Sequence, residues 1–457
     1  MLWLRRDLRL ADSPALLAAV AAAGADGVLP LFVLDPALLG PAGPTRTAWL
    51  LRSLAAWSES TGGALVVRSG DPVDVVPAVA AEVGAGAVHA TADAGPHGRR
   101  RDEAVAAALA AAGRELVRTG TPYAIGPGTL LTAGGTPFAV YSAFDRAWAA
   151  HGAPAPAAAP AGDPWLRGPA SEALPPEPDL GGLVLPPAGE AAALARWAAF
   201  RERIGEYDRD RDRPDRDGTS QLSVHLKYGE VHPRTLLAEL PGLVRDGARA
   251  EGVETFRKEL VWREFYADVL WHRPETAREY YRPQLESMQY ADPSTSAEVA
   301  ALLAAWEAGR TGFPLVDAGL RQMRAEGWMH NRVRMVVASF LVKDLHLDWR
   351  VGARVFMRWL RDGDLASNNH GWQWVAGSGT DPAPYFRIFN PVTQGMKFDP
   401  DGDYVRRYVP ELAHLPGRAA HEPWKAADGY AHGYPERVVD HATERAESLA
   451  RYAAVRG

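Results

Sequence analysis

Two hydrophobic patterns divide this sequence, and the stretch between them can adopt neither. Up to about residue 120, short apolar runs fall at Met1–Leu4, Val28–Leu34, Ala64–Val67, Ala87–Ala90 and Glu115–Thr119. Ala-rich segments at Ser13–Ala23, Thr47–Glu59, Val73–Val83 and Arg99–Ala112 lie between them. Strands alternating with helices of this length predict βαβ units, hence a Rossmann-like α/β domain with a parallel five-stranded sheet covered on both faces. No GxGxxG follows the first strand, and Gly84-Ala-Gly86 precedes a strand instead of opening a helix, so it is no dinucleotide fingerprint. From Thr121 to Pro187 proline, glycine and alanine dominate, as in HGAPAPAAAP at 151–160 and LPPEPDL at 174–180. Prolines at this density exclude a helix interior or a central strand. An extended surface connector is expected, with one helix at Tyr141–Ala150. From Glu190 helical periodicity returns and persists. The expected units are an α/β domain at 1–130, a connector at 131–189 and an all-α domain at 190–457.

Composition narrows the chemistry. The 457 residues include no cysteine, which removes disulfides, thiolate–zinc sites, iron–sulfur clusters and cysteine nucleophiles together. The longest apolar runs fall far short of the ~18 residues a membrane span needs. Arg5, Arg6, Asp7 and Arg9 interrupt any secretory leader, so a cytoplasmic protein is expected. The net charge of −6 hides local contrast: from Arg321 to Arg361, nine basic residues face three acids, a local +6. Eight of the 15 tryptophans fall between 259 and 374, in the same region. Each alone is a core aromatic, and the charges alone are a solvated helix face. Together they suit phosphates and unstacked bases.

Two further stretches stand out. In EYDRDRDRPDRDGTSQLSVHLKYGEV (206–231), the run Asp208–Asp217 alternates in sign and reads as a solvated loop or frayed helix end. Thr219, Ser220 and Ser223 then open a helix, an arrangement that caps it or receives a phosphate. The segment 361–395 mixes Gly, Asn and Asp with Trp and Phe. It reads as an ordered, hydrogen-bond-rich loop able to hold a heteroaromatic ring.

WLRRDLRLADSPAL at 3–16, DGTSQLS at 217–223, ELVWREFY at 259–266, GWMHNRVRM at 327–335 and DGDLASNNHGWQW at 362–374 resemble the photolyase/cryptochrome family across the whole chain. Asn331 and Met335 resemble the class I cyclobutane pyrimidine dimer photolyases. The resemblance implies an FAD protein that splits dimers in ultraviolet-damaged DNA with blue light, working as a monomer. The alternative it implies is a cryptochrome photoreceptor that binds FAD without repairing DNA. Flavin contacts are implied at Tyr207, Thr219, Ser220, Gln221, Leu222, Ser223, Phe256, Arg263, Arg334, Asp362, Gly363 and Asp364, with Asn368 facing flavin N5. Lesion and DNA contacts are implied at Glu259, Trp262, Arg263, Asn331, Arg332, Met335, Trp374 and Gln394, with Arg332 gripping phosphate. Trp372 and Trp349 match the first two members of an electron-relay chain, and Tyr290 stands where a third tryptophan is usual, so either Tyr290 is the terminal donor or another aromatic substitutes. TADAGPHGRRRD at 91–102 resembles the subgroup whose antenna is 8-hydroxy-5-deazaflavin, held by Arg46, Asp93 and Lys227. A flavin or methenyltetrahydrofolate antenna is the alternative. No metal site is expected.

Overall fold

The computed structural model describes residues 1–380 and 386–456. Strands β1 (Leu2–Leu4), β2 (Pro30–Leu34), β3 (Val66–Ser69), β4 (Ala87–Ala90) and β5 (Glu115–Arg118) form one parallel sheet, ordered β3-β2-β1-β4-β5. Leu2 and Leu4 enter one hydrophobic cluster with Leu16, Phe32 and Trp57. Trp3 enters the opposite one with Leu31, Val88 and Leu109. That is the two-residue alternation of a strand buried on both faces. Strand order reverses between β1 and β4, which opens a crevice beyond their carboxyl ends.

Helices Pro14–Ala23, Pro44–Ser60, Pro72–Glu82 and Pro96–Ala111 cover the sheet. Each starts on a proline, whose missing N–H is no loss in the first turn. The second and fourth therefore begin three residues before the expected Thr47 and Arg99. The connector helix runs Tyr141–His151. Beyond it the connector docks on the sheet domain: Val28 N donates to Pro164 O at 2.7 Å, Leu166 N donates to Val28 O at 2.9 Å, and Trp165 meets Trp57 at 5.3 Å.

The second half is helical. Helices Pro314–Glu326, Asn331–Lys343, Trp349–Trp359 and Leu365–Ala376 share one large core. The 23-residue helix Ala250–His272 packs across Leu365–Ala376. The loop expected over 361–395 is instead two helices, Leu365–Ala376 and Pro391–Phe398, with residues 381–385 outside the described residues. Asp364 caps the first, accepting from Ser367 N at 3.1 Å, and Gly377 ends it in the left-handed conformation. These caps outweigh the poor helix propensity of Ser367, Asn368 and Asn369.

The basic excess of 321–361 is only in part a solvated face: Arg324, Arg354 and Arg358 are exposed, and others are held within the protein. Arg321 pairs with Glu411, Arg334 with Asp362 and Arg350 with Asp348, while Lys343 is buried against the Arg387 carbonyl. A polar seam joins the halves. Buried Glu230 accepts from Trp49 Nε1 at 3.1 Å and Gly189 N at 2.9 Å, and Leu8 N donates to Tyr228 O at 3.2 Å. A side chain at Gly229 would strike the Arg6 carbonyl, and its φ of +69° favours glycine as well.

Candidate active site

Helices Ala250–His272, Asn331–Lys343 and Leu365–Ala376, with the loops at 219–223 and 360–364, enclose a cavity of about 490 Å³. Helical spacing aims the lining inward. Phe256, Glu259, Leu260 and Arg263 recur every three or four residues, as do Asn331 and Met335, and Asn368, Gly371, Trp372 and Val375. The cavity is lined by Tyr207, Thr219, Ser220, Gln221, Leu222, Ser223, Phe256, Arg263, Arg334, Asp362, Gly363, Asp364 and Asn368, the full flavin set. Glu259, Trp262, Asn331, Arg332, Met335 and Trp374 line the same space. Gln394 lies apart, in an adjoining groove of about 490 Å³ that Arg332 also borders.

The 217–223 loop is held from behind by Arg196, which no sequence signal had singled out. Its guanidinium donates to Ser220 O at 2.7 Å and Thr219 O at 2.9 Å, and pairs with Asp217. Gln221 takes a left-handed φ of +51°, a strain of about 1–3 kcal/mol for a non-glycine residue, and its side chain accepts from Arg361 at 3.0 Å. Ser223 Oγ donates to Asp362 at 2.6 Å, and Arg334 binds the same carboxylate at 2.9 and 3.1 Å. Burial opposes the charge on Asp362, yet Arg334 holds its carboxyl below the usual range. Asp364 pairs with Arg6 from the α/β half at 2.7 Å. Against burial, Arg6 and Arg263 pull it to about 2. Arg263 itself donates to the carbonyls of Pro122 and Leu226, at 3.1 Å each. Asn368 donates its amide N–H groups to Ala353 O at 3.2 Å and Asn369 Oδ1 at 2.8 Å, which leaves its carbonyl oxygen free to accept.

At the other part of the lining, Glu259 pairs with Arg211 at 2.6 Å. Burial pushes the Glu259 carboxyl up even so. Trp262 stacks on Tyr141 at 3.6 Å and 4°, so one indole face is fixed by the connector helix. The DRDRDR run is not a solvated loop. Arg211 turns in to Glu259, and Asp212 binds Arg332 at 2.8 and 3.1 Å. Arg332 is thus already held by a carboxylate. Arg211, Asp212 and Tyr141 escaped the sequence reading, because alternating charge and a proline-rich context both resemble solvated surface.

The residues 1–161 match the family model of DNA photolyase, and 256–454 match the FAD-binding domain of DNA photolyase. The chain is 40% identical to the deoxyribodipyrimidine photo-lyase of Halobacterium salinarum, over 100% of this chain and 99% of that one. It is 42% identical to that of Streptomyces griseus, over 99% and 97%. The fold superposes on a bacterial class III photolyase from Agrobacterium tumefaciens with a TM-score of 0.90 at 39% identity, covering 100% and 97% of the chains. The chain belongs to the DNA photolyase family. Its five-stranded α/β half and helical half are those of that family, and no described helix is long and apolar enough to cross a membrane.

In this photolyase Trp372 lines the cavity and packs onto Gly352, where any side chain would strike its ring. Trp349 lies one helical turn before Gly352. Tyr280, absent from the expected set, meets Trp349 at 6.0 Å, and Tyr290 stands next to Tyr280. Trp306 lies 6.4 Å from Trp372. The three expected antenna residues do not share one cavity. Asp93 borders the crevice between the β1 and β4 ends with Arg5, Arg6 and Thr91, and pairs with Arg101 at 3.2 Å. Lys227 lines the main cavity, where burial and the charges of Arg46 and Arg6 push it down to about 7. Arg46 donates to Pro41 O at 3.2 Å. Among the described residues no cluster of His, Asp or Glu could hold a metal.

Proposed function

We propose that the cavity holds reduced FAD together with a pyrimidine dimer turned out of damaged DNA. The activity is that of a deoxyribodipyrimidine photo-lyase, light-dependent DNA repair. When bound and excited by blue light, reduced FAD supplies one electron to the dimer and recovers it after the ring opens. The donor set fits this cofactor. Gly371 faces open space where a side chain would intrude, Asn368 keeps a free acceptor oxygen, and hydroxyls cluster at 219–223. Thr219, Ser220 and Ser223 with nearby backbone N–H groups would hold its phosphates. Asn368, oriented by Ala353 O and Asn369, would accept from a protonated ring nitrogen.

For the lesion, Trp262 and Trp374 provide flat walls, and Asn331 and Met335 present a polar and an apolar contact from one helix face. A dimer is already badly stacked, so extruding it costs less than flipping an ordinary base. Burial raises the Glu259 carboxyl, so it would take up and share a proton with a pyrimidine carbonyl gaining charge more readily than an exposed glutamate. The observation that carries this reading is that flavin-set and lesion-set residues line one cavity. A photoreceptor without repair would need only the first set.

Trp372 and Trp349 would relay electrons to oxidised flavin, readying the enzyme rather than splitting dimers. Asn331 and Met335 support the class I assignment. The TADAGPHGRRRD segment with Asp93 at the crevice supports an 8-hydroxy-5-deazaflavin antenna, while Lys227 lines the main cavity and Arg46 borders neither space. We take the chain to act alone in the cytoplasm on damaged DNA. Purified protein should be yellow, and a dimer-containing oligonucleotide should perturb its flavin spectrum at concentrations where the undamaged strand does not. Equal response to both strands would refute the lesion pocket.

A further inference from the structure

Trp372 and Trp349 are nearly fully buried, and neither indole N–H has an acceptor among the described residues. An oxidised indole in such a place has no base to take its proton, so its positive charge stays and must move on. Trp306 offers a side branch without exit, because its N–H donates at 3.3 Å to the carbonyl of Val337, a weak base, and it too is buried.

Tyr280 differs. Its ring meets Trp349 at 6.0 Å and 77°, and its hydroxyl donates to Asp348 Oδ2 at 3.0 Å. Asp348 immediately precedes Trp349 and caps its helix through Arg350 N. Arg350 holds the carboxylate at 2.8 and 3.0 Å, and the Asp348 side chain is partly open to solvent. The Tyr280 hydroxyl is also hydrogen-bonded to Tyr290, which feels the Asp348 charge as well.

We propose that Tyr280 and Asp348 form the proton-coupled end of the electron chain, in place of the terminal role the sequence suggested for Tyr290. An electron leaves Trp372 for photoexcited, oxidised flavin, and Trp349 refills Trp372. Tyr280 then gives one electron to the Trp349 radical cation while its phenolic proton passes to Asp348. Trp349 returns to neutral, the Tyr280 O–H bond breaks, the Asp348 carboxylate becomes a carboxylic acid, and Tyr280 is left as a neutral phenoxyl radical. An oxidised phenol is a strong acid, so a carboxylate paired with Arg350 is base enough. From Asp348 the proton exchanges with water, which slows the return of the electron.

This inference rests on reading Trp372 and Trp349 as relays, and the test separates the two. The flavin-loaded, oxidised protein is excited by a flash and followed by transient absorption and electron paramagnetic resonance. A neutral tyrosyl radical should replace the tryptophan signal, more slowly in D2O. Tyr280→Phe should abolish the tyrosyl signal. Asp348→Asn, which keeps the capping oxygen, should slow its appearance about tenfold or more, and Tyr290→Phe should leave it. Bound-flavin absorbance confirms that each variant is folded. A tyrosyl radical that survives Tyr280→Phe, or is lost in Tyr290→Phe alone, overturns the assignment. If Trp372→Phe still yields aromatic radicals, the relay reading fails. If Trp372→Phe silences them and Tyr280→Phe changes nothing, only the Tyr280–Asp348 step fails.

Discussion

The helical cavity and the crevice of the α/β half are both lined by charged groups but use them differently. In the cavity, pairs such as Arg334–Asp362 and Arg211–Glu259 fix the lining and leave about 490 Å³ between them. In the crevice, Asp93, Arg101, Asp102 and Arg5 bind one another and leave almost no space. A site set in one helical core is preformed. A site at the seam between the β1 and β4 ends must exchange its internal pairs for a ligand's, so binding there should be weaker and more readily altered.

The comparison can be broken in four places. Arg334→Ala, which strands the buried Asp362 carboxylate, should cost about 3–5 kcal/mol in urea unfolding and empty the flavin site; full flavin content would show that the cavity does not depend on this pair. Trp262→Ala should weaken damaged-DNA binding by roughly 2–3 kcal/mol in a titration while flavin absorbance stays, since Trp262 only walls the lesion side. His330 is buried and accepts from Arg332 N, and burial holds its ring down to about 4. The unfolded chain, titrating near 6.5, binds the extra proton first. Stability should therefore fall as pH drops from about 6.5 to 4, by up to roughly 3 kcal/mol, and His330→Asn should flatten that part of the profile. The smallest effect belongs to the seam. A Cβ at Gly98 would overlap the Asp93 carboxylate, so Gly98→Ala should weaken 8-hydroxy-5-deazaflavin binding about tenfold, ~1.4 kcal/mol, in a fluorescence titration with flavin content unaltered.

The same contrast explains what the sequence revealed. Strand β4 and the ends of β1, β2 and β5 were legible because a buried parallel strand is a short apolar run, and that signal is local. The cavity lining was legible through the motifs that resemble the photolyase family, both in helices and in the loops at 219–223 and 362–364. Arg196, Arg211 and Tyr141 were not, because each acts on a residue far away in the chain, and long-range pairing leaves no periodic trace. Tyr280 drew no notice for a similar reason: chain position pointed to Tyr290, and the packing of Tyr280 against Trp349 and Asp348 is a long-range contact. The helix at Leu365–Ala376 was read as a loop because its caps, Asp364 and Gly377, outweigh a composition that disfavours helix.

The central claim is that one cavity joins a light-driven cofactor to a DNA lesion. It is tested most directly by mixing purified, flavin-reduced protein with ultraviolet-damaged oligothymidine and following thymine absorbance in blue light and in darkness. The account predicts that absorbance recovers under illumination only, and that Trp262→Ala slows the recovery at limiting DNA. No recovery with reduced flavin bound, or equal recovery in the dark, would contradict it.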